Sequence, residues 1–449
     1  MLRVFVLSTA MAATMAGCGG TAGAEPAAAS DDGAAAFAAR ARRAGLRVLE
    51  GEHVALATDR PLRAGDGVDD LPAIFDEAFA IWCRHYGLDP ADHDGWRACG
   101  CLIVDRERFR AAGLLPDGIP DFVAGHCHGD RFWMADPSNP AYRRHLLLHE
   151  GVHAFTLTLR GLAAPSWYTE GIAEFLATHR LDGPPGATDR LRHTPVPAKA
   201  DDVEQLGRIE RIRALGRDGR APGLDDVLAT APADHRDLSA YAASWAAVTM
   251  LALHPATAEA FAAAERGPLD AAFTRRLIGS PGWDAPRAAR DFDAFTADLD
   301  YGYDLARMQI DWSSGGPLDA TRDIRVESDR GWQNTGIELA AGARSIWRAA
   351  GRCTIGRLPP PDATRLETEA DGISLEWYRG RPVGRLLLAQ WVERPAGGGR
   401  PRFVVVAEGA AGEFEAQASG PLYARLNDAP GALADNEGHL SATIAPARP

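Results

Sequence analysis

Long apolar runs are scarce in this 449-residue chain. Past residue 17 no segment has the roughly 20-residue unbroken hydrophobic length of a membrane helix, so no span is expected. Positive charge is also in deficit. Lysine and arginine total 48 against 61 aspartates and glutamates, a formal net charge of -13, which argues against nucleic acid or an anionic membrane surface as partner. Cysteine is limited to six residues, at 18, 83, 99, 101, 127 and 353, and their spacing matches no standard zinc site. Large apolar side chains are nearly absent between residues 19 and 43. Such a stretch cannot offset its ordering entropy, so residues 18–43 are expected to be a disordered tether.

What the chain does contain is 46% hydrophobic residues, enough for two or three domains, and one conspicuous run, Leu146-Leu-Leu-His149-Glu150-Gly-Val-His153. On a helix its histidines at i and i+4 sit one above the other, and Glu150 lies about 100° round the wheel. That geometry suits tetrahedral zinc and leaves Glu150 near the ion as a base. Asn139-Pro140 offers a helix start and Gly161 a stop. A hydrolytic zinc takes three protein ligands. Downstream, Trp167-Tyr168-Thr-Glu170-Gly-Ile-Ala-Glu174 reads as a second helix, from which Glu170 completes a His149, His153, Glu170 set. Glu174, one turn on, is placed to accept the N–H of a ligand histidine and fix its tautomer.

H-E-x-x-H, with sixteen residues separating its last His from the first Glu of W-Y-x-E-G-x-A-E, resembles the gluzincin metallopeptidases, especially the peptidase MA-like branch, over about 140–265. The resemblance implies Glu170 as third zinc ligand. The helix 239–253 is similar to the Y-x-x-S-W-A segment that follows the E-G motif in that branch. Tyr241 is accordingly the first candidate donor to a developing oxyanion and Tyr168 the second, with core packing the competing role for each.

The first seventeen residues combine Arg3, a short apolar run and small residues before Cys18, as a secretory signal does. The ending Met15-Ala-Gly-Cys18 looks like a bacterial lipobox, which implies lipidation at Cys18 and an exported, cell-envelope location.

Strands are expected at 47–49, 53–58 and 101–104 and a helix at 70–86. A hairpin over 122–134 is the candidate cleft wall, with His126 and His128 structural or cleft-lining. Four of the remaining cysteines lie in the first third, which allows up to two disulfides in an exported protein.

From about 320, short apolar runs alternate with Gly/Pro turns, as in an antiparallel β-sandwich. Here Asn427-Asp428-Ala-Pro430-Gly431-Ala-Leu-Ala-Asp435-Asn436 resembles the calcium loop of the galactophilic bacterial lectins, and 350–356 resembles their earlier loop. The resemblance implies side-chain oxygens from Asp428, Asp435 and Asn436 and carbonyls from Ile355 and Ala432, with Asp435 standing where the lectins have Asn. No counterpart of their sugar-specific loop stands at 357–365.

The combined expectation is an α+β chain. A signal peptide (1–17) and tether (18–43) precede a gluzincin-like metallopeptidase domain (44–305), with a mixed sheet and a helical subdomain, and an antiparallel β-sandwich (306–449). Zinc, and calcium in the sandwich, are the expected cofactors. A peptide or protein is the expected substrate, with a lipid anchor as the membrane contact and a glycan as a candidate ligand of the sandwich. The alternative is an envelope glycan- or protein-binding lipoprotein whose metal domain is inactive, and hydrolysis of a non-peptide amide stays open.

Overall fold

The computed structural model describes residues 33–447 apart from 62, 64, 185, 204, 205, 359, 360, 394 and 396–398. The expected signal segment and Cys18 lie outside the described residues. Within them no helix is long and apolar enough to cross a membrane. The fold is α+β and divides into two compact units. The first comprises residues up to 177, 181–191 and 230–241, and the second comprises 178–180, 192–229 and 242–449.

The first unit opens with α1 (Ala34–Arg43), β1 (Arg47–Glu50), β2 (Val54–Thr58), α2 (Leu71–Tyr86), β3 (Ala98–Ile103) and α3 (Arg106–Ala111). A hairpin of β4 (Gly125–His128) and β5 (Arg131–Ala135) follows, then α4 (Pro140–Leu159) and α5 (Ser166–Ala177). The five strands form one mixed sheet in the order β1-β2-β3-β5-β4, parallel across β2-β3-β5 and antiparallel at both rims. Every residue of β2 and β3 is buried, as expected of central strands covered on both faces. On one face Ala55, Ala57, Cys99, Cys101 and Trp133 pack with Phe37 and Ala41 of α1 and Phe109 of α3. On the other, Phe132 stacks on Phe75 of α2 at 6.2 Å.

One expectation fails in this unit, and one open possibility is not realised. Residues 34–43, assigned to the tether, form α1, because Phe37, Ala38 and Ala41 fall on one helical face and are buried there. Disulfides are absent among the described cysteines, all five of which are free. Cys99 and Cys101 are two residues apart on one face of an extended strand, where side chains run parallel and cannot be bridged. Burial pushes the Cys99 thiol up to about 12, as befits a small core residue.

A two-stranded ribbon is formed by β6 (His179–Leu181) and β7 (Leu191–His193). Next come α6 (Arg208–Arg217), α7 (Leu224–Leu228), α8 (Leu238–Leu253), α9 (Ala258–Arg266), α10 (Phe273–Ile278) and α11 (Ala285–Asp298). The expected boundary at 305 thus separates helices from strands, both of which belong largely to the second unit.

Its strands are β8 (Gly316–Pro317), β9 (Arg322–Glu327), β10 (Gln333–Leu339), β11 (Arg344–Ala350), β12 (Cys353–Arg357), β13 (Arg365–Thr368) and β14 (Asp371–Tyr378). They continue with β15 (Arg381–Val392), β16 (Arg402–Glu408), β17 (Ala411–Glu415), β18 (Gly420–Leu426), β19 (Asn436–Glu437) and β20 (His439–Pro446). One sheet runs β14-β15-β18-β10-β8 with β16 on β15, a second runs β17-β11-β20-β9, and a small third runs β13-β12-β19. Trp347, Phe414, Leu440 and Ile444 of the second sheet pack with Ile337, Leu386, Leu388 and Leu422 of the first, the shared core of a β-sandwich. The run Leu386-Leu-Leu-Ala389 is continuously apolar because β15 is covered twice. Leu386 and Leu388 face the sandwich core, whereas Leu387 and Ala389 join Trp332, Tyr423 and Ala294 of α11 on the outer side.

Candidate metal centre

Local sequence chemistry starts and stops the metal helix where expected. Asn139 Oδ1 accepts from Tyr142 N at 2.9 Å, Pro140 takes the first helical position, and Gly161 follows the end with φ +60°. Residues 145–156 are buried without interruption, so α4 is enclosed on all sides and its amphipathic pattern is weak.

The register of α4 on α5 is visible in the contacts. His145 Nε2 lies 3.2 Å from Glu174 Oε2, His149 Nδ1 lies 3.3 Å from Glu174 Oε1, and His153 Nε2 lies 3.5 Å from Glu170 Oε2. Ascending α4 means descending α5, so the helices run antiparallel with two i, i+4 glutamates facing three histidines at the same spacing.

His149 Nε2, His153 Nε2 and Glu170 Oε2 form a triangle with sides of 3.1, 3.5 and 3.5 Å. A tetrahedral zinc with bonds of about 2.0–2.1 Å spaces its ligand atoms about 3.4 Å apart, so the trio fits the ion. The donor set fits for a second reason. Two imidazole nitrogens face each other beside a carboxylate oxygen that has no hydrogen-bond partner, and all three residues are buried. Such a cluster calls for a cation. Glu174 beside Nδ1 would leave Nε2 of His149 as the nitrogen free to face a metal. His145, His149 and Glu174 form a second group whose donor atoms lie within 4.8 Å of one another.

Electrostatics say the same. Burial alone would lower the His149 imidazole, but Glu170 and Glu174 outweigh it and raise it to about 10. Burial alone would raise Glu170, but His153 and His149 hold it well below the usual carboxylate range. Glu150 behaves oppositely: burial pushes it up to about 7 despite His149 and His153, and its Oε2 has no hydrogen-bond partner.

Of the oxyanion candidates, Tyr241 is buried with its ring 6.2 Å from that of His149. Tyr168 is buried too, but its hydroxyl lies 3.1 Å from that of Tyr86. The expected hairpin is β4–β5, with β4 the rim strand of the sheet, and His126 stacks on Trp133 at 6.2 Å with burial holding its pKa down to about 4.

Three residues escaped the sequence reading. His145 had a signal, since it repeats the i, i+4 spacing of the motif one turn earlier. Gly125 is the point where β4 meets Glu150: a Cβ there would fall 2.1 Å from Oε1. His235 is buried in a short 3-10 turn, 5.1 Å from the Tyr241 ring and within the field of Glu170 and Glu174. Nothing local in its sequence marks it.

In the sandwich, Ile355 pairs with Asn436 across β12 and β19, and Asn436 Nδ2 donates to Asp428 Oδ2 at 2.9 Å and to Ser328 O at 3.0 Å. Asn436 Oδ1 is buried without a hydrogen-bond partner. Asp435 Oδ2 lies 3.7 Å from the position of a Cβ on Gly356, and Ala432 precedes the turn Leu433–Asp435. Oxygen donors from the loop and an opposing strand suit a hard cation.

No family model matches the chain, and no curated protein does. Among solved structures, part of the chain is similar to one titled "EclA N-terminal domain; PllA-like lectin", at 20% identity and a TM-score of 0.20, covering 29% of this chain and 98% of that one.

Proposed function

We propose that the protein is a zinc-dependent hydrolase of peptide bonds, of gluzincin type, with the metal held by His149, His153 and Glu170. The observation that carries this reading is the 3.1, 3.5 and 3.5 Å triangle of their donor atoms. A bound zinc lowers the pKa of its water toward ~7 and polarises a carbonyl. Glu150, itself raised to about 7, is matched to take a proton near neutrality and return it to the leaving amine. Tyr241 stands beside His149 as the donor for the developing oxyanion. The rim strand β4 offers a backbone edge for an extended peptide. We place the protein at the cell envelope through Cys18, a reading that palmitate labelling of Cys18→Ser tests.

Casein digestion by zinc-reconstituted protein, with and without chelator, is the test. Chelator-sensitive cleavage that Glu150→Gln abolishes supports the reading. Cleavage indifferent to both, or none with stoichiometric zinc bound, overturns it.

The buried Oδ1 of Asn436 favours a second role, a calcium site in the sandwich formed with Asp428, Asp435, Ile355 and Ala432. Calcium should raise the melting temperature of the parent and leave Asp428→Ala unmoved; equal responses reject the site.

A further inference from the structure

A cleft of about 590 Å³ opens on the second unit, lined by none of the residues just described. Its walls carry five guanidiniums, Arg213, Arg217, Arg379, Arg400 and Arg402, against the carboxylates of Asp218 and Asp293. On a chain of net charge -13 this is a local reversal of sign.

Three of the five are held by carboxylates. Arg213 pairs with Asp300 at 2.9 Å and Arg379 with Asp298 at 2.5 Å, while Arg400 donates from both Nε and Nη2 to Asp293 Oδ1 at 3.1 and 2.7 Å. Arg400 is also fixed from behind: a Cβ on Gly223 would lie 2.2 Å from its Nη2. Arg217 and Arg402 have no carboxylate within ion-pair distance among the described residues. Guanidiniums sharing one concavity repel one another unless an anion joins them, and their planar forks match carboxylate and phosphate oxygens. A second recess of about 200 Å³ shares Ala297, Arg379 and Arg402 with the cleft and continues past Trp332, Tyr378 and Phe403. The volume is that of a small-molecule site, with charge at the mouth and rings behind it.

We propose that this cleft binds a small organic oxyanion, a phosphate or carboxylate ester-sized molecule, with its charged end among Arg217, Arg400 and Arg402 and its apolar remainder toward Trp332 and Phe403. Nothing in this assignment depends on the metal centre.

Calorimetric titration of the full chain with pyrophosphate, citrate and phenyl phosphate tests it. Saturable binding of at least one probe is expected, weakened by about tenfold or more in Arg217→Ala/Arg402→Ala, as loss of charge-assisted contacts dictates. Arg322→Ala/Arg348→Ala, which removes two exposed arginines from the four-stranded sheet, should bind as the parent does. Binding of pyrophosphate and phenyl phosphate without citrate assigns a phosphate ligand, and the reverse assigns a carboxylate. Absence of saturation by any probe at millimolar concentration overturns the proposal, as does equal weakening in both double variants.

Discussion

The backbone of Gly125 touches the carboxylate of Glu150: a Cβ at that position would lie 2.1 Å from Oε1, 2.7 Å from Cδ and 2.9 Å from Cγ. The rim strand therefore sets where this carboxylate, the proposed base, points, and only glycine leaves it there. Gly125→Ala should displace the carboxylate without touching His149, His153 or Glu170. A misplacement of about 1 Å costs on the order of 10²-fold in rate. Turnover is expected to fall by that order while zinc content stays stoichiometric; an unchanged rate would mean that Glu150 is not the base.

Glu150 also gives the metal-free protein a characteristic pH dependence. Its folded pKa of about 7 exceeds the ordinary 4.5, so the folded state binds its proton more tightly. Stability is complete below the unfolded value and declines as pH rises from 4.5 to about 7, by about 3 kcal/mol for a buried group of this shift. Glu150→Gln lacks that loss. Metal-free Glu150→Gln should therefore melt above the metal-free parent at pH 8, and the two should converge near pH 4.5. A difference that persists unchanged at acid pH would refute the burial account of this carboxyl.

The chemistry-bearing part of the site was legible because it is built from local periodicity. The i, i+4 spacing of His149 and His153, and of Glu170 and Glu174, places each pair on one helical face whatever the surroundings. What needed the fold was everything brought from elsewhere. Gly125 acquires meaning only when the β4–β5 hairpin lays it on α4, and His235 only when its turn reaches Tyr241. The cysteines left bridging open for a similar reason, since composition cannot show that Cys99 and Cys101 share a strand face. The sandwich strands were readable as short apolar runs between Gly/Pro turns, whereas the double coverage of β15 was not.

Two overlapping triads could each hold a cation but not both at once, because His149 belongs to both. In the preferred set Glu170 is a ligand and Glu174 orients the His149 ring from Nδ1, 3.3 Å away. Loss of an orienting carboxylate typically weakens metal binding by about 10–100-fold, whereas loss of a ligand is more severe. Glu174→Ala should retain zinc at reduced affinity in a competition titration with a chromophoric chelator, and Glu170→Ala should not retain it. The reverse order would move the metal to His145, His149 and Glu174.

Gly151, between His149 and His153, sets two helical effects against each other. Replacing a mid-helix glycine by alanine gains about 0.5–1 kcal/mol of backbone entropy and propensity. Here, however, the new Cβ would come within 2.6 Å of Phe75 Cε2 and 2.7 Å of Trp82 Cη2 on α2. Neither ring can yield easily, since Phe75 meets Trp82 edge-on at 5.2 Å and stacks on Phe132 at 6.2 Å. Overpacking of this kind costs about 1–3 kcal/mol, which exceeds the helical gain. Gly151→Ala should lower the melting temperature of the metal-free protein and, by pushing α4 off α2, reduce zinc affinity as well. A rise in melting temperature with unchanged affinity would show that α4 and α2 are farther apart than this contact requires.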